Sequence, residues 1–225
     1  MVILPARNEG PRVGLVVSEV RQVLPGVEVV VVENGSTDDT AEQARRAGAT
    51  VLRSAEGYAL AQRVGFAYAH ARGAPWCATL DADGQHPPSA LPRLLAALSG
   101  ADLVVGSRFL DGPGYPIAPH RRLANSAFAA WASVLVGQPL TDVTSGLRAM
   151  SPRVLAAFAA DYPADVADAN VLVRAVRAGW RVREIPVAMH ARAGGRSMHD
   201  HPRSAWFALR MLQLCAEERF SAAKA

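Results

Sequence analysis

Trp76-Cys77-Ala78-Thr79-Leu80-Asp81-Ala82-Asp83-Gly84-Gln85-His86-Pro87-Pro88 is an apolar run that ends in two carboxylates one residue apart. The first five residues have the length and composition of a buried strand. Gly84 interrupts regular structure, and Pro87-Pro88 opens a helix by fixing φ and removing an N–H donor. Two acids at a strand end form a hard-oxygen site suited to Mg²⁺ or Mn²⁺, ions that bring phosphates with them. The order of elements around this stretch decides the fold. Upstream, Val2-Ile3-Leu4, Val27 to Val32 and Ala49 to Arg53 read as strands, and Val13 to Leu24, the stretch through Arg46, and Gly57 to Arg72 read as helices between them. On the last of these the stripe Leu60, Val64, Ala67 and Ala71 marks the expected buried face. The order β-α-β-α-β-α-β predicts an α/β domain, a mostly parallel sheet with helices on both faces.

In such sheets ligands sit at the carboxyl ends of strands. The polar stretches Arg7-Asn8-Glu9, Glu33-Asn34 and Asp81 to Gln85 all fall there. Any one of them could be an ordinary capping turn; three point to a shared crevice. Gly35 permits a tight turn, Ser36 or Thr37 can N-cap the second helix, and Asp38-Asp39 suit its positive end.

Downstream the expected elements are a helix over Pro87 to Leu98, a strand over Asp102 to Phe109 and a Gly/Pro-rich loop over Leu110 to Pro119. A helix from about Arg121 to Val136 follows, then a turn with a short strand within Thr141 to Met150. Helices over Ser151 to Ala159 and Asp165 to Ala178 and a strand over Trp180 to Val187 come next. His190 to His201 reads as a polar, mobile loop, and Pro202 to about Ala222 as a last helix with Arg203, Trp206, Arg210 and Gln213 on one face. The division expected is residues 1–201 as one domain and 202–225 as an amphipathic helix on it, on a second subunit in a homodimer, or on a membrane surface.

Half of the 225 residues are hydrophobic, enough for one substantial core. The net charge of +4 is carried almost wholly by arginine, with Lys224 the single lysine. No dense basic block with interleaved aromatics occurs, which argues against nucleic-acid binding. Cys77 and Cys215 read as buried thiols of a reducing compartment. The opening residues lack a basic segment followed by an apolar one, and the longest apolar stretch, Ala127 to Val136, is well below the roughly 20 residues of a membrane span. The expectation is a cytoplasmic protein, peripheral at most. His190, His199 and His201 lack the spacing of a zinc module.

Six stretches in order carry a family resemblance: Leu4-Pro5-Ala6-Arg7-Asn8-Glu9, Val32 to Thr40, Leu80 to Pro87, Val105-Gly106-Ser107-Arg108-Phe109, Asp142 to Ala149, and Arg192-Ala193-Gly194-Gly195-Arg196-Ser197. The chain resembles the GT-A-fold family 2 glycosyltransferases, and within them the polyprenol-phosphate (dolichol-phosphate) mannosyltransferase-like group. The resemblance implies inverting transfer of a sugar from a nucleotide-diphosphate donor to a polyprenyl phosphate, with Mg²⁺ or Mn²⁺. It places Pro5, Ala6, Glu9, Glu33, Asp81 and Ala82 around the donor nucleotide, and Asp83 and Gln85 on the metal. Arg192 and Ser197 would clamp phosphate oxygens, since a guanidinium fits phosphate bidentately. Arg108, Arg121, Arg122 and Arg148 are candidates for the acceptor phosphate. A hydroxyl acceptor would need a general base, for which Asp142, Asp165 and Asp168 are candidates beside the catalytic Asp81 and Asp83.

Departures are specific. Gly57-Tyr58-Ala59 stands where the family often has Gly-Lys-Gly, Asn34 replaces a second acid, and Met198 replaces a basic residue. Typical members also carry membrane helices or a partner that does, so transfer to a small soluble hydroxyl or amine compound is the alternative. A nicotinamide-dependent oxidoreductase would carry Gly-x-Gly-x-x-Gly after the first strand, and Pro5 to Gly10 does not fit it. A non-catalytic nucleotide-binding or membrane-scaffold protein is the remaining class.

Overall fold

The structure, a computed structural model, describes residues 1–110, 119–190 and 204–220. Seven strands form one sheet in the order β3-β2-β1-β4-β6-β5-β7. They are β1 (Val2–Ala6), β2 (Val29–Glu33), β3 (Thr50–Arg53), β4 (Cys77–Thr79), β5 (Leu103–Ser107), β6 (Arg148–Met150) and β7 (Val182–Pro186). All pairings are parallel except those of β6, which runs antiparallel to both β4 and β5. The mostly parallel α/β fold is thus the one read from the sequence.

The helices are α1 (Gly10–Val23), α2 (Thr40–Arg46), α3 (Tyr58–Ala71), α4 (Leu91–Ala97), α5 (Pro119–Val136), α6 (Pro152–Ala160), α7 (Ala169–Arg177) and α8 (Ser204–Phe220), with a 3₁₀ turn at Pro88–Ala90 before α4. Buried β-branched strands serve two cores because successive side chains alternate across the sheet. Val30 and Val32 join Ile3, Phe66, Leu155 and Leu172 on one face. Val29 and Val31 join Leu4, Val17, Leu91 and Leu94 on the other. The first core is closed by Phe66, Phe158, Tyr162 and Trp180, whose ring centroids lie 5.0 to 5.6 Å apart in tilted or edge contacts.

Two local expectations are corrected. The buried face of α3 is Ala59, Ala61, Gln62, Gly65, Phe66 and Ala69, whereas Ala67 and Ala71 are exposed. Helix α3 presses so close to the sheet that a Cβ on Gly65 would meet Ile3 Cγ2 at 2.5 Å, and Val64 packs partly buried beside that contact. Second, neither Ser36 nor Thr37 caps α2. The helix starts at Thr40, the flanking Asp39 makes no capping bond, and Ser36 Oγ instead accepts the N–H of Asn8 at 3.0 Å.

Helix α8 lies against α7 with Met211 and Cys215 buried, and the Ala169 N–H reaches Met211 Sδ at 3.4 Å. Among the described residues no helix is long and apolar enough to cross a membrane.

Candidate active site

The first wall of the site is built by cross-tying two loops. Residue Ala6 at the end of β1 is in register with Glu33 at the end of β2. Asn8, held at φ +54°, a conformation Asn tolerates better than most residues, accepts the Thr37 N–H through Oδ1 at 2.8 Å. The Glu9 N–H donates to Thr40 Oγ1 at 2.8 Å and the Gly10 N–H to Asp38 Oδ2 at 3.0 Å. Burial works to raise the Asp38 carboxyl, but bonds from Thr40 and Gly10 outweigh it and hold the group below its ordinary value. Glu33 accepts the Ser36 N–H and lies 4.0 Å from Arg53 Nε. Pro5, Ala6, Glu9 and Glu33 therefore line the ends of β1 and β2 as a braced ledge.

The second wall leaves β4. Asp81 keeps about a third of its side chain exposed (32%) and accepts the Tyr58 hydroxyl through Oδ1 at 2.9 Å. Its N–H donates to Nδ1 of the buried His86 ring at 2.9 Å. Ala82 is buried, and Asp83, only 7% exposed, folds back so that Oδ1 accepts the Gln85 N–H at 3.0 Å. No group of three or more His, Cys, Asp or Glu side chains gathers into a metal cage among the described residues. One or two carboxylates at the rim suit a Mg²⁺ or Mn²⁺ that completes its shell with phosphate and water, so the residues fit the group expected from the sequence.

The third wall is the segment before β6. Asp142 is fully buried and clamped by Arg108, with Nε to Oδ2 and Nη2 to Oδ1 both at 2.6 Å and the Arg108 N–H on Oδ2 at 3.0 Å. Glu184 on β7 receives the N–H groups of Thr141 and Asp142, each at 2.8 Å, and burial raises its carboxyl. Arg148 is 2% exposed and donates to the carbonyls of Ser145 at 2.9 Å and Asp168 at 3.4 Å. Its guanidinium is turned into the protein, not toward an acceptor at the surface. Asp165 pairs with Arg210 at 3.2 Å; burial opposes, but bonds from Val166 and Arg210 lower its carboxyl.

Asp168 differs. Burial pushes its carboxyl up to about 6, opposed by Arg148 and reinforced by Asp81. Tyr58 sits in the same field: burial and then Asp81 hold its phenol well above the ordinary value. Burial drives Cys77 and Cys215 up to about 12, so neither thiol is a ready nucleophile.

Arg122 is exposed on the first turns of α5, and of Arg121 the structure describes the backbone. Arg192, Ser197, His199 and His201 lie outside the described residues. Tyr58, His86 and Glu184 have site contacts that the sequence reading left without a role. For Tyr58 the signal was its place in the expected Gly-Lys-Gly.

The acids Glu9, Glu33, Asp81 and Asp83 thus follow the carboxyl ends of β1, β2 and β4 along one edge of the sheet. Residues 1–158 match the family model for glycosyl transferase family 2, and the chain belongs to that family. It is 33% identical over 210 residues to a polyprenol monophosphomannose synthase of Mycolicibacterium smegmatis, covering 88% of this chain and 79% of that protein. An undecaprenyl-phosphate mannosyltransferase of Micrococcus luteus is 32% identical over 211 residues, covering 88% of this chain and 86% of that one. The fold is shared with glucosyl-3-phosphoglycerate synthase of Mycobacterium tuberculosis, crystallised with Mn²⁺, UDP and phosphoglyceric acid. That likeness has a TM-score of 0.72 at 18% identity and covers 99% of this chain and 79% of the other.

Proposed function

We propose that the chain transfers a sugar from a GDP- or UDP-sugar to a polyprenyl phosphate, with inversion and with a divalent metal. The observation that carries this reading is the convergence of Glu9, Glu33, Asp81 and Asp83 on one end of the sheet in a chain related to two polyprenyl-phosphate mannosyltransferases. In this reading Pro5, Ala6, Glu9 and Glu33 hold the base and ribose, and Asp81 and Ala82 border the diphosphate and sugar. Asp83 and Gln85 would hold Mg²⁺ or Mn²⁺, which when bound neutralises charge on the departing nucleoside diphosphate. Arg192 and Ser197 would contact the phosphates. Arg108 fixes Asp142 and with it the third wall, Arg148 biases Asp168 from beneath, and Arg121 and Arg122 at the start of α5 receive the acceptor phosphate.

A phosphate acceptor is a nucleophile at neutral pH and needs no strong base. Asp168 supports a second reading, transfer to a hydroxyl, because a half-buried carboxyl raised to about 6 is poised to accept a proton above that pH. Asp142 is less suited to that role because Arg108 occupies both its oxygens. Leu123 and Val134 on α5 are 73% and 81% exposed, which fits peripheral contact with the membrane that holds the lipid.

The test is transfer to a short-chain polyprenyl phosphate against a panel of soluble hydroxyl acceptors, using the wild type and Asp83→Ala. Product on the lipid that needs Mn²⁺ and falls at least about 100-fold in Asp83→Ala supports the reading. Full metal-dependent turnover by Asp83→Ala removes the metal assignment.

A further inference from the structure

Tyr58 is the first residue of α3, and its hydroxyl hydrogen donates to Asp81 Oδ1 at 2.9 Å. From the other side, the Thr144-Ser145-Gly146 segment crosses over the same pair. A Cβ on Gly146 would meet the Tyr58 hydroxyl oxygen at 2.5 Å and Asp81 Oδ1 at 3.0 Å. Thr79 Oγ1 donates to the Gly146 carbonyl at 2.8 Å, which fixes that crossing to the strand leading into Asp81. Behind Asp81, His86 Nδ1 takes its backbone N–H at 2.9 Å. The acid is thus braced at its backbone by His86, while Tyr58 grips one oxygen of its carboxylate and Gly146 leaves just enough room for that grip.

We propose that Tyr58 is a positioning residue for Asp81: it occupies Oδ1 and, with His86 Nδ1 3.6 Å from Oδ2, fixes the plane of the carboxylate, and Gly146 is small so that it can. A neutral phenol suits this task better than an ammonium group. It supplies one directed donor to a single carboxylate oxygen and leaves the negative charge of Asp81 in place. The inference rests on the reading in which Asp81 borders the sugar donor.

The experiment is a double-mutant cycle on the full chain with wild type, Tyr58→Phe, Asp81→Asn and the double variant. Each is assayed for kcat and donor KM in sugar transfer, and by calorimetry for binding of GDP and UDP with Mn²⁺. Tyr58→Phe is expected to lower kcat about tenfold, the worth of one hydrogen bond to a charged group, with KM and nucleotide affinity within about twofold. In the Asp81→Asn background the same change is expected to have no further effect. Additive losses, or parallel falls in kcat and affinity with a drop in Tm, overturn the proposal while leaving the donor site intact. A wild type that binds neither nucleotide overturns the donor reading and the positioning role together.

Gly146→Ala supplies a second test that needs no turnover. Its Tm loss should be smaller in the Tyr58→Phe background, where the hydroxyl no longer crowds the new methyl; equal losses in both backgrounds contradict the contact.

Discussion

Replacing Asp168 by Asn should stabilise the protein while removing a catalytic option. The carboxyl titrates at about 6 in the fold against an ordinary 3.8, chiefly because it is buried. Below the ordinary value the group is protonated in folded and unfolded chains alike, so pH has no leverage through it. Between the two values the unfolded chain has ionised and the folded one resists, so stability falls as pH rises; above about 6 the full penalty is present. At about 1.4 kcal/mol for each step of one in pKa, the penalty is a few kcal/mol at pH 8 and about half of that at pH 5. The neutral Asn side chain escapes it. Urea denaturation of both proteins at the two pH values should give an advantage for Asp168→Asn that roughly doubles from pH 5 to pH 8. Transfer to a hydroxyl acceptor should fall at least about 100-fold in the same variant. A pH-independent difference, or an Asn variant less stable at pH 8, refutes the assignment of a carboxyl whose desolvation outweighs the nearby Arg148.

Arg108→Ala strands the buried Asp142 carboxylate and should cost about 3–5 kcal/mol in urea unfolding, with part of it recovered in Arg108→Ala/Asp142→Ala. Glu184→Ala releases the N–H groups of Thr141 and Asp142 and should cost about 2–3 kcal/mol, with a lower Tm. Gly65→Ala drives a methyl into Ile3 Cγ2 and should cost about 1–3 kcal/mol, less in an Ile3→Ala background that lacks that atom; equal costs would contradict the close approach of α3. Phe158→Ala opens the aromatic cluster and should cost about 3–5 kcal/mol.

The strand ends were legible because a run such as Val29–Val32 can hardly be anything but a buried strand, and Glu33-Asn34-Gly35 stops it at once. Local pattern therefore located Glu9, Glu33, Asp81 and Asp83 on one edge. It could not choose the buried face of α3, because both faces carry alanines and the decision lies with Ile3 across the sheet. Nor could it tell an arginine that meets substrate from one that serves the scaffold. Arg148 lies inside only because β6 runs antiparallel between β4 and β5, and Arg108 is engaged only because Asp142, 34 residues later, returns beside it. The contact of Tyr58 with Asp81 is of the same long-range kind, 23 residues apart in the chain.

The most direct test of the account is mass spectrometry and anomeric-proton NMR of the lipid product after incubation with a panel of GDP- and UDP-sugars, a short-chain polyprenyl phosphate and Mn²⁺, with and without EDTA. The account predicts a glycosyl polyprenyl phosphate of inverted anomeric configuration, formed with Mn²⁺ and absent with EDTA. A product of retained configuration, a product formed equally in EDTA, or sugar found only on a soluble hydroxyl acceptor would contradict it.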